Sequence, residues 1–309
     1  MFFGEPVVRE YFDDVLLQKY HGSAPLPVAV VWPCDRVSLE GAVLAAQAGV
    51  IRPTLVGAAE QIQLIAQENA FDLTGLEIVD VWLETEAAEV SARMAAEGKV
   101  KALMKGSLHT NDLMRAIVAR NGNLRTSRRM SHVFALDHPH YHKLLLISDA
   151  ALNIAPGLME KRDITQNAID LAHALGVATP KVAILAAVET IEENIESTLH
   201  AAALCKMGDR RQIRGALLDG PLALDNALSR EAARIKGIRS EVAGDADILV
   251  VPNYEAGNML AKDMEHMGGA RAAGLVLGAR VPVILTSRAD SPRTRLASCL
   301  LARAVVEKG

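Results

Sequence analysis

Apolar and polar positions in this chain alternate in blocks rather than residue by residue. Short, nearly continuous apolar runs recur at 28–32 (VAVVW), 53–57 (PTLVG), 76–81 (LEIVDV), 100–106 (VKALMKG), 143–149 (KLLLISD), 181–188 (KVAILAAV), 215–221 (GALLDGP), 246–253 (ADILVVPN), 273–279 (AGLVLGA) and 281–285 (VPVIL). A strand with one wet face alternates with period two, whereas a continuous run signals a strand covered on both faces. Between the runs lie helical patterns with start and stop signals. Ser38 precedes LEGAVLAAQAG, which stops at Gly49, and Thr110 precedes NDLMRAIVAR, which stops near Asn121 and Gly122. Ser291 precedes PRTRLASCLLARAVV, with Pro292 at the first helical position, where its missing N–H is no loss. Strand–helix–strand repetition predicts parallel sheets covered by helices.

The rhythm breaks once, at NGNLRTSRRMSHVFALDHPHYH between Arg120 and Lys143, which has no long helical period. It reads as a crossover with an extra strand or hairpin, and as a domain boundary. The expected fold is α/β, with two three-layer α/β domains and a cleft between them. Domain I is discontinuous, residues 1–127 plus 281–309, and domain II spans 128–280. The final amphipathic helix is expected to pack on the first domain.

Composition narrows the class. The 309 residues suffice for two ordinary domains, and half of them are hydrophobic with only 4% aromatic, so small aliphatic side chains fill the core. A net charge of -4 argues against a nucleic-acid partner. Cys34, Cys205 and Cys299 are scattered, lack zinc-ligand spacing and are odd in number, which predicts reduced cysteines rather than a disulfide framework. The opening MFFGEPVVREYFDD is broken by acids before any signal-like apolar region forms, and no run approaches the ~20 residues that span a bilayer. A cytoplasmic protein with no membrane partner is expected.

In open α/β sheets ligands bind beyond the carboxyl ends of the strands. That rule singles out KGSLHTND, SDAALNIAPG, DGPLALDN, PNYEAGN and TSRADSPR. TSRADSPR has the parts of an anion site: Thr286, Ser287 and Arg288 leave a strand, and the next helix presents free N–H groups and its positive dipole end to the same space. A capped helix with solvated arginines is the alternative. KGSLHTNDLMRAI repeats the design, with Ser107 and Thr110 as possible donors and Arg115 further into the helix; there too a cap and a surface arginine are the plainer reading. His138, His140 and His142 fall within five residues but have no matching ligand pattern, so a solvated loop is expected and no metal site. Asp149, Glu189, Asp219 and Glu255 stand at strand ends, where acids commonly cap helices or pair with arginines. P-loop, dinucleotide-fingerprint and nucleophile-elbow motifs are all absent from the sequence.

The stretches KGSLHTNDLMRAI, ALCKMGDRRQIRGALLDGPLALDNA, GDADILVVPNYEAGNMLAK and VPVILTSRADS together resemble the phosphate acetyl/butyryltransferases, from about residue 100 to the end and more loosely before it. The resemblance implies reversible acyl transfer between coenzyme A and inorganic phosphate. Acyl-CoA, phosphate and acyl phosphate are the expected partners, with coenzyme A a substrate and no permanently bound cofactor. It implies an isocitrate/isopropylmalate dehydrogenase-like fold, and a homodimer or higher homo-oligomer formed through the second domain. It carries the family's catalytic serine and following arginine onto Ser287 and Arg288, and a phosphate-facing arginine onto Arg115. Acetyl-specific members place an acidic general base where this chain has Thr294, so SRADS looks more like the butyryl branch, and Asp290 is the reserve candidate for a base. A non-catalytic acyl-CoA or acyl-phosphate binding protein, and a metal-dependent decarboxylating dehydrogenase on the same fold, are the rival readings.

Overall fold

A computed structural model describes residues 10–119, 123–287 and 290–308. After a π-helical turn at Tyr11–Leu17, the strands are β1 (Leu26–Val31), β2 (Ile51–Gly57), β3 (Glu77–Asp80), β4 (Ala102–Lys105), β5 (Ser131–Asp137), β6 (Leu145–Ser148), β7 (Lys181–Leu185), β8 (Leu217–Leu222), β9 (Ile248–Val250), β10 (Arg271–Leu277) and β11 (Val283–Ile284). The helices are α1 (Arg36–Gln47), α2 (Ala59–Glu68), α3 (Glu84–Ala96), α4 (Thr110–Val118), α5 (Leu158–Ala174), α6 (Glu196–Asp209), α7 (Leu224–Leu228), α8 (Arg230–Ile235), α9 (Tyr254–His266) and α10 (Pro292–Lys308). Among the described residues no helix is long and apolar enough to cross a membrane. The chain forms two compact units, one of residues 10–128 with 273–308 and one of residues 129–272, the division falling within β10.

In the first unit the strand order is β3-β2-β1-β4-β11-β10. β1 through β4 and β11 run parallel, and β10 turns back antiparallel to β11. The continuous apolar runs of β1 and β4 are covered, with Val28, Ala29, Val30, Val31 and Leu103 all fully buried, whereas β3, an edge strand, is part-exposed along its whole length. α10 packs on α1. The last apolar run shrinks to the two strand residues Val283 and Ile284.

Two caps differ from the sequence expectation. α1 starts at Arg36, and Asp35 rather than Ser38 caps it, its Oδ1 accepting from the Ser38 amide at 2.7 Å. A carboxylate at that position satisfies a free N–H and meets the positive helix end, leaving Ser38 inside the first turn. Thr110 is itself the first residue of α4, and the cap position falls on His109, which makes no side-chain capping bond. That helix closes at Val118, and Asn121 and Gly122 lie outside the described residues.

In the second unit the order is β5-β6-β9-β7-β8, parallel except for the β5–β6 pair, which is antiparallel. That pair is the hairpin expected where the rhythm breaks. Leu136, Leu145, Ile147, Leu185 and Leu249 anchor its core.

Candidate functional site

β1, β4 and β11 are parallel neighbours with level carboxyl ends: Val31 faces Lys105, and Ile284 faces Met104. Three chain segments therefore leave the sheet together: Trp32–Asp35, Gly106–Ser107 and Leu285–Ser287. The first two run in close contact. A Cβ on Gly106 would overlap the Trp32 and Val31 carbonyl oxygens, so only glycine lets β4 exit here. Ser107 then gives both its amide and its hydroxyl to the Trp32 carbonyl, each at 2.9 Å.

The third exit carries Thr286 and Ser287. Thr286 is buried, and its Oγ1 accepts from Arg295 Nη1 at 2.8 Å, so its hydroxyl supports the segment from below rather than facing a ligand. Ser287 is exposed. Its amide donates to Asp290 Oδ2 at 2.6 Å, and the Asp290 amide returns to the Ser287 carbonyl at 3.2 Å, closing a tight turn. Ser291 then caps α10 as expected, its Oγ accepting from the Thr294 amide at 3.1 Å and lying 3.1 Å from the Thr294 hydroxyl. The free N–H end of α10 thus sits directly after the Ser287 turn, where it favours an anion. Arg288 lies outside the described residues.

Beneath this edge are two buried cations, Lys105 and Arg295. Lys105 Nζ donates to the Gly106 carbonyl at 3.2 Å. Arg295, on the second turn of α10, reaches back to the Ser287 carbonyl at 3.1 Å and to the Lys105 carbonyl at 3.5 Å. Burial pushes the Arg295 pKa down, opposed by the charges of Asp290 and Asp35. The sequence showed Arg295 only as one of three arginines near Ser287; nothing in its spacing marks it as the buried one.

Arg115 is placed differently. It projects from α4 with its side chain three-quarters exposed, 3.4 Å from Asp112 Oδ1, and lines a cavity of about 490 Å³ between α3 and α4 together with Arg93, Glu89, Thr85 and Ala116. Thr110 is half-buried in the first turn of α4. The sheet edge therefore gathers Ser107, Thr286, Ser287 and Asp290, while Arg115 opens into the depression between α3 and α4, whose lining includes none of these four.

Most of the remaining candidates have structural partners. Asp149 accepts from the amides of Ala151 and Leu152 at 2.8 and 3.0 Å. Glu189 holds Lys236 at 3.0 Å, Asp219 accepts from the Gly220 amide at 2.9 Å, and Glu255 lies in the first turn of α9. His142 pairs with Asp245 at 2.9 Å, and burial pushes the half-buried His138 toward its neutral form. Among the described residues no group of three or more His, Cys, Asp or Glu side chains is placed to hold a metal. Burial pushes the thiols of Cys34, Cys205 and Cys299 up to about 11, 12 and 12, so none is a ready nucleophile.

Comparison with known proteins places the chain in a family. The family model described as phosphate acetyl/butaryl transferase matches residues 82–302. A phosphate acetyltransferase of Rhizobium meliloti is 55% identical over 289 residues, covering 94% of this chain and 92% of that protein. A phosphate butyryltransferase of Clostridium acetobutylicum is 40% identical over 294 residues, covering 95% and 97%. The crystal structure of a branched-chain phosphotransacylase from Enterococcus faecalis V583 superposes with a TM-score of 0.80 at 29% identity, over 91% of this chain and 99% of that one. This chain therefore belongs to the phosphate acetyl/butyryltransferase family.

Proposed function

We propose that this protein transfers a short acyl group, acetyl to butyryl, reversibly between coenzyme A and inorganic phosphate, and does so at the shared edge of β4 and β11. The observation that carries the reading is the exposed Ser287, held on a closed turn at the free N–H end of α10. In the direction of acyl-CoA synthesis, the coenzyme A thiol loses its proton and its sulfur attacks the carbonyl carbon of the acyl phosphate. A C–S bond forms, the C–O bond to phosphate breaks, and inorganic phosphate departs with the electron pair. The Ser287 hydroxyl donates to the oxyanion of the tetrahedral intermediate. Arg115 and Arg288 bind the phosphate oxygens, with Thr110 as a further contact, while Ser107, whose hydroxyl and amide are both given to the Trp32 carbonyl, holds the strand exit in place. A thiol ionises near pH 8.5 in water, so a positive field lowers its pKa far enough without a strong base. That suits a chain with Thr294 in its capping interaction and Asp290 engaged by the Ser287 amide. Holding both substrates together supplies acceleration without an acyl-enzyme.

Around that chemistry we place coenzyme A as a substrate rather than a bound cofactor, a cytoplasmic setting, an isocitrate/isopropylmalate dehydrogenase-like fold, and a homodimer or higher oligomer through residues 129–272. The deciding assay follows thiol release from acetyl-, propionyl- and butyryl-CoA in the presence and absence of phosphate, without metal or nucleotide. Release that requires phosphate is expected. Tight binding of acyl-CoA without turnover would instead favour a binding protein, and turnover requiring a divalent metal and a nicotinamide would favour a dehydrogenase.

A further inference from the structure

A buried guanidinium lies under the Ser287 turn, and no step of the proposed chemistry uses it. Arg295 is only 1% exposed, yet it forms no ion pair with a carboxylate of the described residues. Its charged neighbours are Asp35 at the start of α1 and Asp290 in the turn, both acting at a distance. Lys105 at the end of β4 adds a second buried cation. Cys299 on its own helix stays a neutral thiol, because burial pushes it up to about 12. The three acceptors it reaches all belong to the site's framework: the Thr286 hydroxyl, the Ser287 carbonyl and the Lys105 carbonyl. Room for the side chain is made by Gly41 of α1, where a Cβ would overlap Arg295 Cδ. A buried charge with no contact counter-ion is costly, and an apolar side chain would fill the space more cheaply. A planar fork is what can tie three acceptors on two strand ends to one rigid group; a lysine offers a point charge instead.

We propose that Arg295 is the positioning residue of this site: it sets the aim of the Ser287 hydroxyl by fixing the Thr286–Ser287 backbone to the end of β4, and it keeps a permanent positive charge under the edge where the thiol ionises. The proposal rests on the reading of Ser287 as oxyanion donor.

Arg295→Met, Arg295→Lys, Gly41→Ala and Ser287→Ala in the full chain test it. The measurements are kcat and KM for acyl phosphate and coenzyme A, the pH profile of kcat, and thermal unfolding. Arg295→Met is expected to lower kcat by at least about tenfold, with each KM within about threefold, and to move the limb on which the thiol ionises to higher pH. Arg295→Lys is expected to keep that limb in place and recover part of kcat. Gly41→Ala changes no charge and touches no substrate, so it is expected to lower kcat with the limb unmoved. A folded Arg295→Met with wild-type kcat or a wild-type pH profile overturns the proposal, as does a rise in KM alone. If Arg295→Met does not fold, wild-type kcat in both Gly41→Ala and Arg295→Lys overturns it. Loss of activity in Ser287→Ala beside unaffected Arg295 variants removes Arg295 alone, whereas wild-type rates in Ser287→Ala remove the serine's role and this proposal with it.

Discussion

At the scale of single residues, the chemistry proposed for the turn after β11 predicts separate effects on catalysis and on binding. Ser287 is exposed while its own backbone is held at both polar groups, the amide by Asp290 and the carbonyl by Arg295. In the proposed mechanism a hydroxyl on so constrained a backbone stabilises the oxyanion in the transition state and contributes little before it forms. Ser287→Ala is therefore expected to lower kcat by roughly 10²–10³ with KM for both substrates nearly unchanged. Steady-state kinetics decide this, and near-normal kcat would end the serine's role. Thr294 cannot act as a base at neutral pH, and its hydroxyl lies 3.1 Å from Ser291 Oγ, so Thr294→Val should cost far less. Arg115 predicts the opposite split. Its guanidinium is largely exposed and only loosely paired with Asp112, so it is available to a ligand in the α3–α4 cavity. Arg115→Ala should raise KM for phosphate by about ten- to a hundredfold, the loss of one charge-assisted contact of ~1.5–3 kcal/mol, and leave KM for acyl-CoA closer to wild type. Unchanged phosphate kinetics would take Arg115 out of the site.

At the scale of elements, α10 joins the site to the foot of its unit. Its first turns carry Ser291, Thr294 and Arg295 at the carboxyl edge. Ser298 in its middle gives its hydroxyl to the Thr294 carbonyl at 2.8 Å and accepts from the Gly274 amide at 2.9 Å, tying the helix to β10. Near the far end Arg303, 1% exposed, donates to the Ala24 carbonyl at 2.9 Å, to Ser23 Oγ at 2.8 Å and to the Gly49 carbonyl at 3.2 Å, and stacks on the Tyr20 ring. Its carboxylate partner, Glu307, is half in solvent. Arg303→Met keeps most of the volume but strands several neutral buried acceptors at ~1–3 kcal/mol each, a change on the order of 3–5 kcal/mol. For a unit of this size that corresponds to a fall in Tm of about 6–20 °C. A melt within about 2 °C of wild type would show that the cluster contributes little. Ser291 was recognisable as the cap of α10 because hydroxyls before a proline and a helical period announce a start locally. Asp35 and Ser38 are both competent caps three residues apart, and only the path of the chain leaving β1 decides which one the helix uses.

At the scale of the molecule, the two ends of the sheets do different work. The carboxyl edge of the first unit carries the proposed chemistry, while the amino ends of β6, β7 and β9 in the second unit carry an ion network. Asp245 meets His142, Lys143, Lys181 and Arg230 there. Burial alone would push its carboxyl up, but hydrogen bonds from Lys181 and Lys143 outweigh that and hold it well below the usual carboxylate range. A carboxyl whose pKa is depressed by folding stabilises the native state above its ordinary value, and that stabilisation is lost as pH falls through the folded value. Stability is therefore expected to hold near neutrality and to decline once pH drops below the ordinary value of 3.8. Asp245→Asn should be less stable at neutral pH and lose less on acidification. Denaturant unfolding at a series of pH values checks this; parallel acid limbs in the two proteins would show that Asp245 does not set the slope.

The local chemistry of the sequence by itself determined the strand runs, the break that becomes the β5–β6 hairpin, the carboxyl edge to search, and the turn that carries Ser287. Each of these follows from periodicity, from capping, or from short motifs read within a few residues of one another. Tertiary structure alone decided the rest. β11 pairs with β4 on one side and with β10, antiparallel, on the other, a choice between partners distant and near in sequence that no apolar run encodes. Thr286 and Ser287 are adjacent, yet one hydroxyl is buried against Arg295 and the other is exposed, because alternate residues leaving a strand face opposite ways and only the packed helix says which face is covered. Arg293 and Arg295 look alike in the sequence, but the turn of α10 sends one to solvent and the other beneath Ser287, into space left by a glycine on α1 more than 250 residues earlier in the chain. Burial of a charge is a property of what packs around it, and that packing exists only once the chain has folded.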